Sequence, residues 1–185
     1  ATGGEEAAGI GGGSHGSGGN ITINGGSVAA TGGELAAGIG CGDGVSYGKI
    51  TIHGGTVKAT GGDLAAGIGC GQDSSGGNIT ISGGNVTAIG GDLAAGIGCG
   101  FNGSGDSFTT RTDGHALIVA SSISDTSQRE SWSGIIFEGD TGKVYKDQTL
   151  QENIEIPSGK TLTVPKNITL TVKDGVTLTN SGTIT

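Results

Sequence analysis

Apolar and polar positions along the chain fall into short alternating runs that return every 29 residues. Ile21 and Ile23 flank Thr22, Val28 and Ala30 flank Ala29, and Leu35, Ala37, Ile39 and Cys41 share one parity. Residues two apart lie on the same face of a strand, so these side chains read as inward. Thr22, Ala29, Glu34, Ala36 and Gly38 then read as outward. In the second copy the runs are residues 49–53, 56–60 and 35–41, separated by Gly54-Gly55, Gly32-Gly33 and the stretch 42–48. Glycine pairs at the corners supply the positive φ angles that sharp turns need. No run shows a 3.6-residue apolar period free of glycine, which excludes a helical solenoid.

The columns of the repeat are rigid. Thr2, Thr31, Thr60 and Ile89 open successive copies, Ile-Thr-Ile recurs at residues 21–23, 50–52 and 79–81, and Cys41, Cys70 and Cys99 stand in register with Gly12. Such spacing marks one structural unit per copy, each unable to bury its apolar side without the next. The expected fold is an all-β, right-handed parallel β-helix (a β-solenoid) with three strands per coil, the hand following the rule for β crossovers.

Two regions are expected. Residues 1–106 form the regular Gly-rich β-helix repeats and hold 36 of the 43 glycines. Residues 107–185 carry Trp132, most of the lysines and both prolines, and read as continuing, irregular coils with a polar insertion near 125–131. There residues 116–122 and 135–137 read as strands. From Ser158 the eight-residue segments SGKTLTVP, KNITLTVK and DGVTLTNS predict a coil of about 24 residues, with Leu162, Leu170 and Leu178 in one column and Val164 and Val172 in another. The chain starts inside a repeat at Ala1 and stops within a strand pattern at Thr185, as expected of a piece of a longer protein.

Composition narrows the chemistry. Aromatics are 3% and Met is absent, so a narrow interior of Ile, Val, Leu and Ala must replace a core of large side chains. A net charge of −8 without a basic stretch argues against nucleic acid, whose phosphates need clustered Lys and Arg. No apolar run approaches the roughly 18 residues of a membrane span. The three cysteines lack the short paired spacing of zinc sites and read as a column of small buried residues. Strands about 4.8 Å apart leave a disulfide between rungs geometrically open.

The pattern GGNITI-GG-VTA-GG-LAAGIG-G, followed by IPSGKTLTVP and GVTLTNSGTIT, resembles the β-helix regions of large cell-surface proteins of gut Firmicutes and related bacteria. The resemblance covers nearly the whole chain. It implies an exported, wall-attached, extracellular protein of adhesin-like or carbohydrate-binding type, with polysaccharide or host glycan as partner. It carries over no catalytic residue.

Three surfaces are candidates for binding. The column Glu5, Glu34, Asp63, Asp92 places one carboxylate per coil; these either splay into solvent or gather cations, and Ca2+ bridging Glu34, Asp63 and Asp92 across rungs is the sharper reading. No other cofactor is required. The loops after the Gly-Ile-Gly run vary between copies, and stacking sets His15, Asp43, Tyr47, Gln72, Asp73, Phe101 and Asn102 along one edge, where Tyr47 and Phe101 would stack on sugar rings. The Ile-Thr-Ile face shows a grid of Asn and Thr suited to an extended polysaccharide. The Ala-Ala-Gly run offers a bare face expected to be covered by the same chain or by a second copy through self-association. A polysaccharide-degrading enzyme, lyase or glycoside hydrolase, is the rival reading. Its candidates Asp43, Asp73 and Lys58 do not line up by column, so no catalytic residue is assigned.

Overall fold

A computed structural model describes residues 1–110 and 114–185. The molecule is an all-β parallel β-helix. Three sheets wrap the regular part, each receiving one strand per coil. A short sheet stacks Ile10–Gly11, Ile39–Gly40, Ile68–Gly69 and Ile97–Gly98. A second stacks Asn20–Ile23, Lys49–Ile52, Asn78–Ile81 and Ser107–Thr110. The third, a long sheet, begins with Ser27–Thr31, Thr56–Thr60, Asn85–Ile89 and Leu117–Ala120. Pairing is parallel and keeps the 29-residue step, with Ile10 beside Ile39 and Ile50 beside Ile79. The cysteines follow in line: the amide of Cys41 donates to the Gly69 carbonyl at 3.2 Å and that of Cys70 to Gly98 at 2.9 Å. Like therefore lies on like, and Ile39, Ile50, Ile52, Ile68, Ile79 and Ile81 fill the interior completely buried.

One predicted strand is mostly a turn. Of residues 35–41, only Ile39–Gly40 joins a ladder. The amide of Ala36 closes a turn onto the Gly33 carbonyl at 3.1 Å, and Ala65 and Ala94 do the same with Gly62 and Gly91. A turn breaks alternation, so the parity assigned there is corrected. Ala36 and Ala37 are both buried, Leu35 is half-buried, and the equivalent Leu93 is 60% exposed. The bare Ala/Gly face is therefore not a surface. Ala36, Ala65 and Gly67 are buried within the chain's own coils, and a Cβ on Gly67 would meet the backbone of Ile89 at 2.6 Å. In the inner coils that face offers no exposed surface for self-association.

The second part does not simply prolong the first coil. After Leu117–Ala120 the chain makes an abbreviated circuit and returns to the long sheet as Gly134–Glu138. The polar insertion forms a single 3₁₀ turn, Arg129–Ser131, followed by Trp132. Trp132 is fully buried against Phe108, with ring centroids 5.0 Å apart, and belongs to the core of the first solenoid. The excursion thus folds back over the open end of the interior.

Gly134–Glu138 then pairs antiparallel with Thr141–Tyr145 across the Gly139-Asp140 turn. From there a smaller solenoid rises on Thr161–Thr163 and Thr183–Ile184 in the same sheet. Its other sides are Gln148–Leu150 with Leu170–Val172 and Ile154–Ile156 with Leu178–Asn180. Stacked partners lie 20 to 24 residues apart (Thr141 to Thr161, Thr161 to Thr183, Ile154 to Leu178), close to the predicted coil. The columns differ from those predicted. Leu162, Leu170 and Leu178 each occupy a different side of one coil, all packed on a single second core.

That second core lies across the long sheet from the first. Ile118 and Ile136 face the first interior, while their strand neighbours Leu117, Ile135 and Phe137 face the second. The strands of the second coil also run opposite to those of the first. Changing the sheet face and reversing the strand direction each invert the hand of a coil, while stacking advances the same way along the sheet. The two inversions cancel, so both solenoids share one hand.

Candidate functional site

The loop edge is built on a stacked turn. Its second position is left-handed in each coil: His15 (φ 57), Gly44 (φ 65), Asp73 (φ 49) and Asn102 (φ 56). Glycine is the least strained choice there, with Asn and Asp tolerated. The turns are tied by backbone bonds one coil apart, from His15 to Asp43 at 3.3 Å, Gly44 to Gln72 at 3.0 Å and Asp73 to Phe101 at 2.9 Å. Side chains on this line therefore have fixed starting points.

Four predicted residues come together. Gln72 Nε2 donates to Asp73 Oδ2 at 2.8 Å, and Asn102 Nδ2 donates to Asp73 Oδ1 at 3.0 Å. These two bonds, Gln72 first, hold the Asp73 carboxyl below the usual carboxylate range, because donors stabilise the ionised form. Phe101 stands beside Asn102 with 38% of its surface exposed. His15 is held by Ser14, Oγ to Nδ1 2.8 Å, and its ring reaches over Gly44, where a side chain is missing: Nε2 lies 4.0 Å from an added Cβ. Asp43 is half-buried, with Oδ1 closed off and without a hydrogen-bond partner.

Tyr47 is a correction. It points into the coil, 4% exposed, and cannot stack on a sugar. Its hydroxyl donates to Asp106 Oδ1, and burial, followed by the Asp106 charge, pushes its phenol well up. The space comes from glycine: a Cβ on Gly18 would sit 2.8 Å from the Tyr47 Cβ, and one on Gly76 would overlap the Asp106 carboxylate.

Around Asp106 the cysteine column is less apolar than expected. Cys70 Sγ donates to Asp106 Oδ1 at 3.7 Å and Cys41 Sγ to the Val45 carbonyl at 3.8 Å. All three thiols are free. Burial lifts Cys99 to about 11. The neighbouring Cys70 thiol draws Cys41 down, and Cys70 is itself pushed up by its closeness to Cys41 and by burial.

Asp106 itself is raised by burial, against hydrogen bonds from Cys99, Tyr47 and Cys70 that pull it down. Its Oδ2 has no partner. A carboxyl with a raised folded value binds more protons folded than unfolded between the two values. Its contribution to stability is thus complete below the unfolded value near 3.8 and is lost as pH rises through the folded one. Denaturant midpoints should therefore fall from pH 4 towards 7 more steeply in wild type than in Asp106→Asn. Parallel profiles would refute the assignment.

The acidic column is stacked through its backbone, with the Leu64 amide on the Glu34 carbonyl at 3.3 Å, but Glu34, Asp63 and Asp92 are exposed. Among the described residues no three His, Cys, Asp or Glu side chains converge in a way that could hold a metal ion. On the Asn/Thr face, Thr22, Thr51, Thr80 and Thr109 form one row and Asn20, Lys49, Asn78 and Ser107 another, but Thr51 is buried. A cleft of about 390 Å³, absent from the sequence reading, lies where Asn85, Thr87 and Val119 on the outer long sheet meet Glu155 and Pro157 of the second coil.

Three segments, residues 21–43, 50–72 and 79–101, each match a family model described as Beta helix repeat. No curated protein and no solved structure matches the chain. Among the described residues no helix is long and apolar enough to cross a membrane. The chain is similar to β-helix repeats along its first solenoid, at the 29-residue spacing seen in the ladders.

Proposed function

We propose that the chain is a non-catalytic, extracellular β-helix module of a bacterial cell surface that binds polysaccharide or host glycan along its loop edge. The observation that carries this reading is the joined Gln72, Asp73 and Asn102 cluster beside the exposed Phe101 ring. Sugars are bound by a flat apolar face under the ring and fixed polar groups at the hydroxyls. Here the polar groups are held by one another across adjacent coils, so little ordering remains to be done on binding. The carboxyl best suited to stay protonated, Asp106, is half-buried, with Oδ1 taken by Tyr47 and Oδ2 closed off from solvent, which favours binding over general acid catalysis.

A glycan array should show binding that falls roughly tenfold in Phe101→Ala and in Asp73→Ala, as expected for the loss of one stacking contact or one hydrogen-bonding group. No binding, or binding unchanged in both variants, would reject the loop edge. Reducing ends or unsaturated products released from polygalacturonate, mucin glycans or plant fibre would instead favour a degradative enzyme.

A further inference from the structure

We infer that the junction between the two solenoids holds a second binding site, for a single acidic sugar ring. The site is a cleft of about 270 Å³ between the 3₁₀ turn, the strand Thr141–Tyr145 and the turn at Pro165. That volume lies just under the roughly 300–1,000 Å³ of sites for small molecules, so it suits one ring and not an oligomer.

Its chemistry runs against that of the whole chain. The protein has 17 acidic and nine basic side chains, yet three of the nine, Arg129, Lys143 and Lys146, line this one cleft. Glu130 lines it too, and Glu138 binds Arg129 at 2.5 Å, which leaves one positive charge in excess. Arg129 is committed: besides Glu138, its guanidinium lies 5.1 Å from the Trp132 ring. Lys146 holds the backbone in a left-handed conformation, φ 60, and spends one ammonium hydrogen on the Ser131 carbonyl at 2.9 Å. An ammonium has three donors, so two remain. Lys143 sits 5.2 Å from the Tyr145 ring and has no carboxylate partner among the described residues.

Tyr145 is half-buried and, with Ile168, gives the cleft an apolar side. Its ring is fixed edge-on to Trp132, centroids 5.5 Å apart. An anionic group reaching Lys143 and Lys146 would place the attached ring against Tyr145. A carboxylate or sulfate ester on a pyranose has that shape, and a neutral hexose lacks the charge. The site stands on different residues from the loop edge, so either can fail alone.

Trp132 is the one tryptophan of the chain and lines the cleft, so its fluorescence reports on this site. Titration with glucuronate, a 6-sulfated N-acetylglucosamine and glucose at low salt should give a saturable change with one or both anions and none with glucose. The two anions separate carboxylate from sulfate recognition. Lys143→Ala should weaken the response roughly tenfold, as expected for one charge-assisted hydrogen bond, and Lys58→Ala, four strands away in the long sheet, should leave it intact. Unliganded spectra of the variants check folding. Backbone amide shifts of residues 143–146 serve as a second readout. Equal response to glucose, insensitivity to Lys143→Ala, or silence of both readouts at millimolar anion would overturn the proposal.

Discussion

Gly69→Ala should strongly destabilise the regular solenoid, where Gly19→Ala would not. Gly11, Gly40, Gly69 and Gly98 form a column at φ 133, 142, 136 and 125, a region nearly closed to residues with a Cβ. A methyl at Gly69 would land on the carbonyl oxygen of Gly98, deep inside van der Waals contact. That oxygen already accepts from Cys70 at 2.9 Å, and Gly69 accepts from Cys41 at 3.2 Å. Relief requires two rungs to part, and both bonds weaken. Backbone strain of about 1–3 kcal/mol and about 1 kcal/mol per lost bond combine to about 4 kcal/mol, against a usual total of about 5–15. The melting temperature should drop by about 10 °C or more at this chain length. Gly19 is the control: its φ is 60 but nothing lies within 4 Å of an added Cβ, so Gly19→Ala costs only about 1–2 kcal/mol. Equal losses in the two variants would show that rung spacing does not limit the fold.

The period made this column visible, and with it the three-sided coil, because identical residues one period apart must become neighbours. What the period concealed was decided by departures from it. Tyr47 stands in the column Gly18, Gly76, Gly105, and Asp106 in the column Gly19, Gly48, Gly77. A large residue where its equivalents are glycine fills the space they leave, and that signal points inward. Reading Tyr47 from loop composition alone placed it outside. The Gly-x-Leu-Ala turn failed differently: strict alternation was carried through a segment that closes an i to i+3 hydrogen bond, so Leu93, expected inside, lies outside, and Ala36, expected outside, lies inside. The reversal at Gly139-Asp140 has a local signature, two apolar runs joined by two residues with glycine first. Nothing local says that Leu117 and Phe137 must then serve a second core, since that depends on which face of a completed sheet the returning chain meets. For the loop edge, column spacing sufficed to align Gln72, Asp73 and Asn102. The junction cleft joins residues from three separate segments and has no period to reveal it.

Trp132→Ala should be the most damaging change outside the glycine column. The indole is fully buried, set edge-on between Phe108 at 5.0 Å and Tyr145 at 5.5 Å. It lies where the short and second sheets have ended and the interior of the first solenoid would otherwise open to water. Truncating a buried Trp costs about 3–5 kcal/mol through lost transfer energy and the cavity left behind. Here little can collapse into the gap, because Phe108 is anchored in its strand and Tyr145 in another. Trp132→Phe should be far milder. It keeps most of the ring and removes an indole N–H that is buried without a partner among the described residues, a group whose desolvation costs about 1–3 kcal/mol. Denaturant midpoints should thus rank wild type near Trp132→Phe and well above Trp132→Ala. Light scattering should show concentration-dependent association of the alanine variant alone, since an uncovered apolar end invites another chain. An alanine variant within about 1 kcal/mol of wild type would mean that the returning loop is ornamental and that the last coil seals itself.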